Sequence, residues 1–239
     1  MTAPAPPSRS LADTRETLHR VCAHVLARRR RDVSGRFGLR AGPAGIATPA
    51  FGEEPEVLRI AGTVLVRESG GESTRTPLCG STLRELGRFA HVDLGTAFSA
   101  GTDTPVLGDV DESLDLPAQE TAVISGWFAL AWDVLDGVLD SLPSGSTGTT
   151  IQLWPEHFDA ATTVTLGSSA RVNLGFSPGD GFEAEPYVYI GPWGEERPAD
   201  PSFWNAPFGA TFCRSQLLGE ADPAASCRAF IDRGLQLLS

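Results

Sequence analysis

His157-Phe158-Asp159-Ala160-Ala161-Thr162-Thr163-Val164-Thr165-Leu166 alternates between apolar and polar side chains, and that alternation decides how the C-terminal half folds. Successive side chains of a β-strand point to opposite faces, so Phe158, Ala160, Thr162, Val164 and Leu166 share one side, and His157, Asp159, Ala161, Thr163 and Thr165 share the other. The next stretch repeats the pattern, with Val172, Leu174 and Phe176 opposing Arg171, Asn173 and Ser177. In 183–190, Ala184, Val188 and Ile190 oppose Glu183, Glu185, Tyr187 and Tyr189. If these strands are neighbours, one sheet face gathers His157, Asp159, Arg171 and Asn173 with Glu185, Tyr187 and Tyr189. The Ser177–Gly181 loop, carrying Asp180, then projects from the edge of that face.

Working outward, Thr149–Trp154 precedes this region as a further strand and Ala210–Cys213 follows it. Asp222-Pro223 opens a final helix, with Cys227, Phe230, Ile231, Leu235 and Leu238 on one side. Upstream, Pro143–Gly148 reads as a linker and a possible sub-boundary. Before it lies the strongest helix of the chain, capped by Asp115, with Pro117 in its first turn and its end near Leu142. Its expected apolar stripe is Val123, Trp127, Leu130, Val134 and Val138, with Asp133, Asp136 and Asp140 on the remaining face. Strands are expected at Phe37–Ala41, Ile46–Phe51, Val57–Glu68 and Ser73–Leu78, turned at Gly42–Gly45 and Ser69–Gly71. Capping boxes at Ser10/Asp13 and Thr82/Glu85 begin two further helices, the first running to about Arg31. Residues 1–9, rich in Pro and Ala, read as a disordered leader without the apolar run of a secretory signal. The fold class is therefore α+β: antiparallel sheets packed with a long central helix and terminal helices, in a single domain over 10–239.

Composition narrows the function classes. The 239 residues include 26 Gly and 18 Pro, enough for many tight turns but below the level of a low-complexity chain. All 19 basic residues are Arg. Without Lys there is no Schiff-base or P-loop lysine, which excludes aldolase-like, PLP-anchoring and Walker-type chemistry. A net charge of −11 opposes nucleic acid and anionic membrane surfaces as partners. Arg28–Arg31 is the one basic run, and it reads as a helix C-terminus whose cations complement the macrodipole before meeting solvent. Cys22, Cys79, Cys213 and Cys227 lack metal-ligand spacing and read as small buried hydrophobes in a reducing, cytoplasmic setting. No run of 18 apolar residues offers a membrane span.

The polar face carries the functional argument. An antiparallel sheet normally keeps one face wet, so alternation alone explains a polar face. The particular mixture of directional groups instead suits a cleft, walled by Trp154 and Trp193, that binds a small polar or anionic ligand. In that reading Arg171 holds an anionic group. Asn173, Asp180, Glu185, Tyr187 and Tyr189 line the site. His157, oriented by Asp159, is the candidate general acid/base. A competing reading is a non-catalytic interaction module, with Trp154, Trp193, Phe203 and Trp204 as an exposed aromatic surface. A single divalent ion among His157, Asp159, Glu183 and Glu185 is a weak signature, and no metal site or cofactor is assigned. His91-Val92-Asp93, followed by His157 and Arg171, has the order of the facial-triad iron and 2-oxoglutarate oxygenases, a remote alternative. Those enzymes place H-x-D on a jelly-roll strand, whereas His91 directly follows a predicted helix. No nucleophile elbow and no dinucleotide fingerprint occurs.

Three strings carry a resemblance: Leu153-Trp154-Pro155-Glu156-His157-Phe158-Asp159, Gly175-Phe176-Ser177-Pro178-Gly179-Asp180 and Pro186-Tyr187-Val188-Tyr189. Over about residues 150–238 the chain resembles a group of conserved actinobacterial hypothetical proteins with L-W-P-x-H-F-D and G-F-S-P-G-D motifs. That resemblance implies a family and no mechanism. It brings together the same residues that strand parity places on one face.

Overall fold

Ser10 opens α1 (Leu11–Val21) with the expected capping box, its hydroxyl accepting from Asp13 N while the Asp13 carboxylate returns the bond. The computed structural model describes residues 10–42, 45–194, 197 and 200–239. The 1–9 leader and the centre of the Gly42–Gly45 turn lie outside the described residues. After α1 the helix continues through a π-helical stretch, Cys22–Ala27, into α2 (Arg28–Ser34), three residues past the expected end. Gly35 stops it with a φ of 70°, a left-handed cap that glycine adopts without strain.

All six π-helical residues are buried, and the helix side chains that reach out are pinned. His19 Nε2 lies 2.9 Å from the Pro155 carbonyl, and the ring stacks on Phe158. His24 Nε2 lies 2.7 Å from the Pro105 carbonyl. The arginine run is not a solvated helix end, contrary to expectation. Arg28 is buried and bonds Thr96, Arg29 pairs with Glu56, and Arg30 donates to the Gly38 carbonyl. Arg29 and Arg30 are half-buried, and of the four only Arg31 is exposed, beside Asp32.

Burial lowers the pKa of both His19 and His24, outweighing the bonds to carbonyl oxygens that favour protonation. The folded state thus holds both rings neutral, while the unfolded chain protonates them near pH 6.5. Their contribution is complete above that value and is lost as pH falls toward the depressed folded values. Between about pH 7.5 and pH 5 the thermal midpoint should fall less in His24→Gln than in the wild type. Equal falls in a pH series of melting curves would remove His24 from the account.

The N-terminal sheet is an antiparallel meander of β1 (Arg40–Gly42), β2 (Gly45–Ala47), β3 (Glu56–Ala61), β4 (Val64–Ser69) and β5 (Glu72–Pro77). The single strand expected over Val57–Glu68 is a hairpin instead. Gly62, at φ 59°, and Thr63 turn the chain so that Ala61 faces Val64. The long apolar run hid this turn, because a buried hairpin keeps its hydrophobic texture on both sides of the glycine. Thr82 then caps α3 (Leu83–Phe89) with the expected box.

Helix α4 (Ala118–Asp140) starts at Pro117, which occupies the cap position, and not at an Asp115 cap as expected. Its buried stripe is Ile124, Phe128, Ala131 and Leu135 together with Trp127, Val134 and Val138. The expected Val123 and Leu130 are half-buried at its border, while Asp133, Asp136 and Asp140 face water. By length and composition α4 could cross a membrane. Its stripe instead packs on β1, β2, β8 and β9 and on α1 and α6, as a core helix does.

The second sheet contains β6 (Thr147–Gly148), β7 (Gln152–Trp154), β8 (Asp159–Thr165), β9 (Arg171–Ser177), β10 (Tyr187–Pro192) and β11 (Ala210–Cys213). They run in the order β11-β10-β9-β8-β6, with β7 also on β8 and every pairing antiparallel. A short helix, α5 (Arg214–Leu217), not expected from the sequence, leads to α6 (Pro223–Leu237), capped by Asp222. Leu39 and Leu153 exchange backbone hydrogen bonds of 2.9 and 3.0 Å, joining the two sheets at a seam. The molecule is an α+β fold of two antiparallel sheets around a long central helix, with helices at both ends. Cys22 and Cys227 are buried as expected, but Cys79 is exposed.

Candidate functional site

Strands β8, β9 and β10 lie side by side, so their parity adds. Tyr189 pairs with Gly175, which pairs with Ala161; Thr163 pairs with Asn173, which pairs with Gly191. The even-numbered partners Ala160, Leu174, Phe176, Val188 and Ile190 are buried on the opposite face. The odd-numbered face forms the floor of a cavity of about 760 Å³ lined by His157, Asp159, Asn173, Asp180, Tyr187 and Tyr189. Ser177, Gly191, Pro192, Trp193 and Phe208 complete its lining. A contiguous hollow of about 340 Å³ extends it toward Trp154, as expected of a wall at that end.

His157 stands in a turn before β8 and not on the strand. The Phe158 amide donates to the Trp154 carbonyl (2.7 Å), and Phe158 takes a φ of 57°, unusual for a bulky residue. That conformation sends Phe158 into the core against Phe128 and His19 while His157 emerges at the cavity rim, 49% exposed. Its Nδ1 is 3.1 Å from Asp103 Oδ2, and Nε2 is 3.5 Å from Glu156 Oε1. Its carboxylate neighbours in direct contact are therefore Asp103, from a loop, and the adjacent Glu156, and not the expected Asp159.

Asp159 is buried. Its Oδ2 accepts from the Tyr189 hydroxyl, and its Oδ1 has no hydrogen-bond partner among the described residues. Burial pushes its carboxyl above the ordinary range, against the lowering effects of the Tyr189 bond and nearby His157. Tyr189 is raised too, first by burial and then by Asp159. Gly175 makes this pair possible, because a Cβ there would lie within 3 Å of the Tyr189 ring. The ring lies across β9 and reaches β8 over the bare backbone.

Asp180 holds the Ser177–Glu183 loop: its Oδ1 accepts from the Phe182 and Glu183 amides at 2.8 and 3.1 Å. Its Oδ2 accepts from the Tyr187 hydroxyl at 2.5 Å. Burial and this carboxylate together raise the Tyr187 phenol. Asn173 Oδ1 accepts from Thr163 Oγ1 and from Trp193 Nε1, both at 2.9 Å. Phe182, Tyr187, Tyr189 and Phe208 meet ring to ring at 5.0–6.3 Å and form an aromatic wall. Sequence reasoning missed Phe182, Phe208 and Gly175; only the glycine inside a strand was a readable signal.

Two expected members do not join. Arg171 shares the face but sits at the far end of β9, exposed, with its guanidinium 3.6 Å from the centre of the Trp193 ring. Glu185 precedes β10, outside the alternating stretch, and accepts from Ser215 N and Oγ at 2.7 and 2.8 Å. Phe203 and Trp204 are not an exposed surface: Trp204 is buried and Phe203 packs on Phe230. Among the described residues no three His, Cys, Asp or Glu side chains are grouped to share a metal ion. The oxygenase triad of His91, Asp93 and His157 is therefore not assembled; Asp93 bonds the Gly95 amide. No family model, no curated protein and no solved structure matches the chain.

Proposed function

We propose that the protein binds a small polar ligand over the odd-numbered face of β8–β10, and that the ligand presents a positively charged or hydrogen-bond-donating group. The observation that carries this reading is the cavity's composition. An aromatic wall, two aspartates and the Asn173 amide line it, and among the described residues no Arg does. Rings and carboxylates both attract cations and donors, and a concave polar–aromatic hollow is the usual form of a small-molecule site. The anionic ligand expected from Arg171 loses its cation, since that side chain is stacked outside the hollow. The exposed aromatics Trp193 and Phe208 line the site and Phe182 packs on Tyr187 and Phe208, which favours a ligand cavity over a separate protein-docking surface.

A thermal-shift screen of small amines, quaternary ammonium compounds, amides and polyols, with carboxylates and phosphates for contrast, tests this. A ligand at about a hundred times its Kd should add about 2.7 kcal/mol to stability. His157→Ala and Trp193→Ala, at half-exposed positions, should leave the fold intact and weaken binding about tenfold or more. A shift that neither variant alters, or shifts with anions alone, would reject the site.

His157 gives a second, catalytic reading. Its Nδ1 is held by Asp103, the arrangement that fixes a tautomer in acid/base catalysis, and the Asp159–Tyr189 pair shares its cavity. A turnover assay on whichever ligand binds separates the readings: His157→Gln should abolish turnover while retaining measurable binding.

A further inference from the structure

A second cavity, of about 610 Å³, opens on the other side of Trp154, at the seam where Leu39 bridges Leu153. Its charge is opposite to that of the chain as a whole. Arg30, Arg36 and Arg40 line it, and among the described residues no Asp or Glu does. Among the described residues Arg36 and Arg40 make no side-chain ion pair, and both are exposed. Arg30 is held in place by the Gly38 carbonyl, with its Nε buried and without a hydrogen-bond partner. Burial and the nearby Arg36 charge both disfavour its protonated form. The walls are flat and apolar: Phe37, Trp132 and Trp154, with Pro49.

We infer that this seam cavity is a binding site for a small organic anion, a flat ring bearing a carboxylate or phosphate, distinct from the β8–β10 site. Guanidinium forks match the geometry of both acid groups, and an anion would supply a counter-charge to three arginines at once. The indole and phenyl walls would take the ring face-on or edge-on. The position is rigid, because helix α2, strand β1 and strand β7 each contribute a lining residue and the Leu39–Leu153 bonds tie the strands together. The inference does not depend on what the other cavity binds.

Calorimetric titration with phenyl phosphate, benzoate, inorganic phosphate and phenol tests it. At least one of the first two should bind saturably, and the tighter of them identifies the acid group. The double variant Arg36→Gln/Arg40→Gln, altered only at exposed positions, should bind about tenfold more weakly or worse. His157→Ala should leave this affinity unchanged, which separates the result from that at the first site. Absence of binding by both ring acids up to about 10 mM, or binding indifferent to the double variant, would overturn the assignment. Inorganic phosphate binding as tightly as phenyl phosphate would overturn the role given to the ring.

Discussion

Glu56→Ala should destabilise the protein by about 3 kcal/mol, lowering the thermal midpoint by roughly 6–12 °C for a chain of this size. Glu56 begins β3, and its carboxylate is the single anion between two cations. Its Oε1 accepts from Arg29 Nε at 3.0 Å, and Oε2 accepts from Arg29 Nη2 at 2.9 Å and Arg67 Nη2 at 3.1 Å. The carboxylate side chain is only 6% exposed, so it ties α2 to the N-terminal sheet in a mostly dry setting. Removing it leaves two guanidiniums facing each other, and Arg67 Nε is already buried without a partner. The low end of the usual 3–5 kcal/mol applies, because Arg29 and Arg67 remain 18% and 22% exposed and can recover some water. Burial raises the Glu56 pKa, but the bonds and charges of Arg29 and Arg67 outweigh it and hold the group below its ordinary value. Its stabilisation is therefore complete above the ordinary carboxylate range and is lost as pH falls through the depressed folded value. Urea titrations should show a flatter acid limb in the variant. A loss under about 1 kcal/mol would mean that solvent screens this triad as it does a surface pair.

What the sequence discloses and what it hides divide along a physical line. Alternation is local, so the faces of β8, β9 and β10 were readable residue by residue, and antiparallel register carried Asp159, Asn173 and Tyr189 to one side. Capping is local too, and Ser10, Thr82 and Asp222 mark their helices as expected. Glu185 failed because parity was extended through residues before Tyr187, where no ladder enforces it; its carboxylate follows the nearest free amide, that of Ser215. Arg171 failed for a different reason. It lies on the correct face, but a long side chain at the end of a strand goes where it stacks best, and Trp193 is in reach. Asp103, Phe182 and Phe208 come from loops, whose placement depends on the assembled fold and has no sequence period to betray it. The arginine run misled because charge alone was weighed: four cations in a row point in four directions on a helix, and three of those meet the rest of the molecule.

Gly175→Val should cost about 3 kcal/mol and abolish ligand binding at the β8–β10 face, although valine is the better strand former. On an open sheet the exchange would gain up to about 1 kcal/mol from strand propensity. Here the new Cβ would fall within 3 Å of the Tyr189 ring, closer than side chains approach, so the ring must swing off β9. Overpacking of that kind costs about 1–3 kcal/mol. The swing also parts the Tyr189 hydroxyl from Asp159 Oδ2, leaving a buried carboxyl whose other oxygen already lacks a partner, for about 1–3 kcal/mol more. A double-mutant cycle isolates the cause. In a Tyr189→Ala background the space over residue 175 is empty, so Gly175→Val should become neutral or stabilising, with a coupling energy of about 3–4 kcal/mol. If valine costs the same with and without the ring, the glycine serves the backbone of β9 and not the reach of Tyr189. If valine is harmless in the wild type, Tyr189 can cross to Asp159 by another path, and the pair is not built on a bare strand.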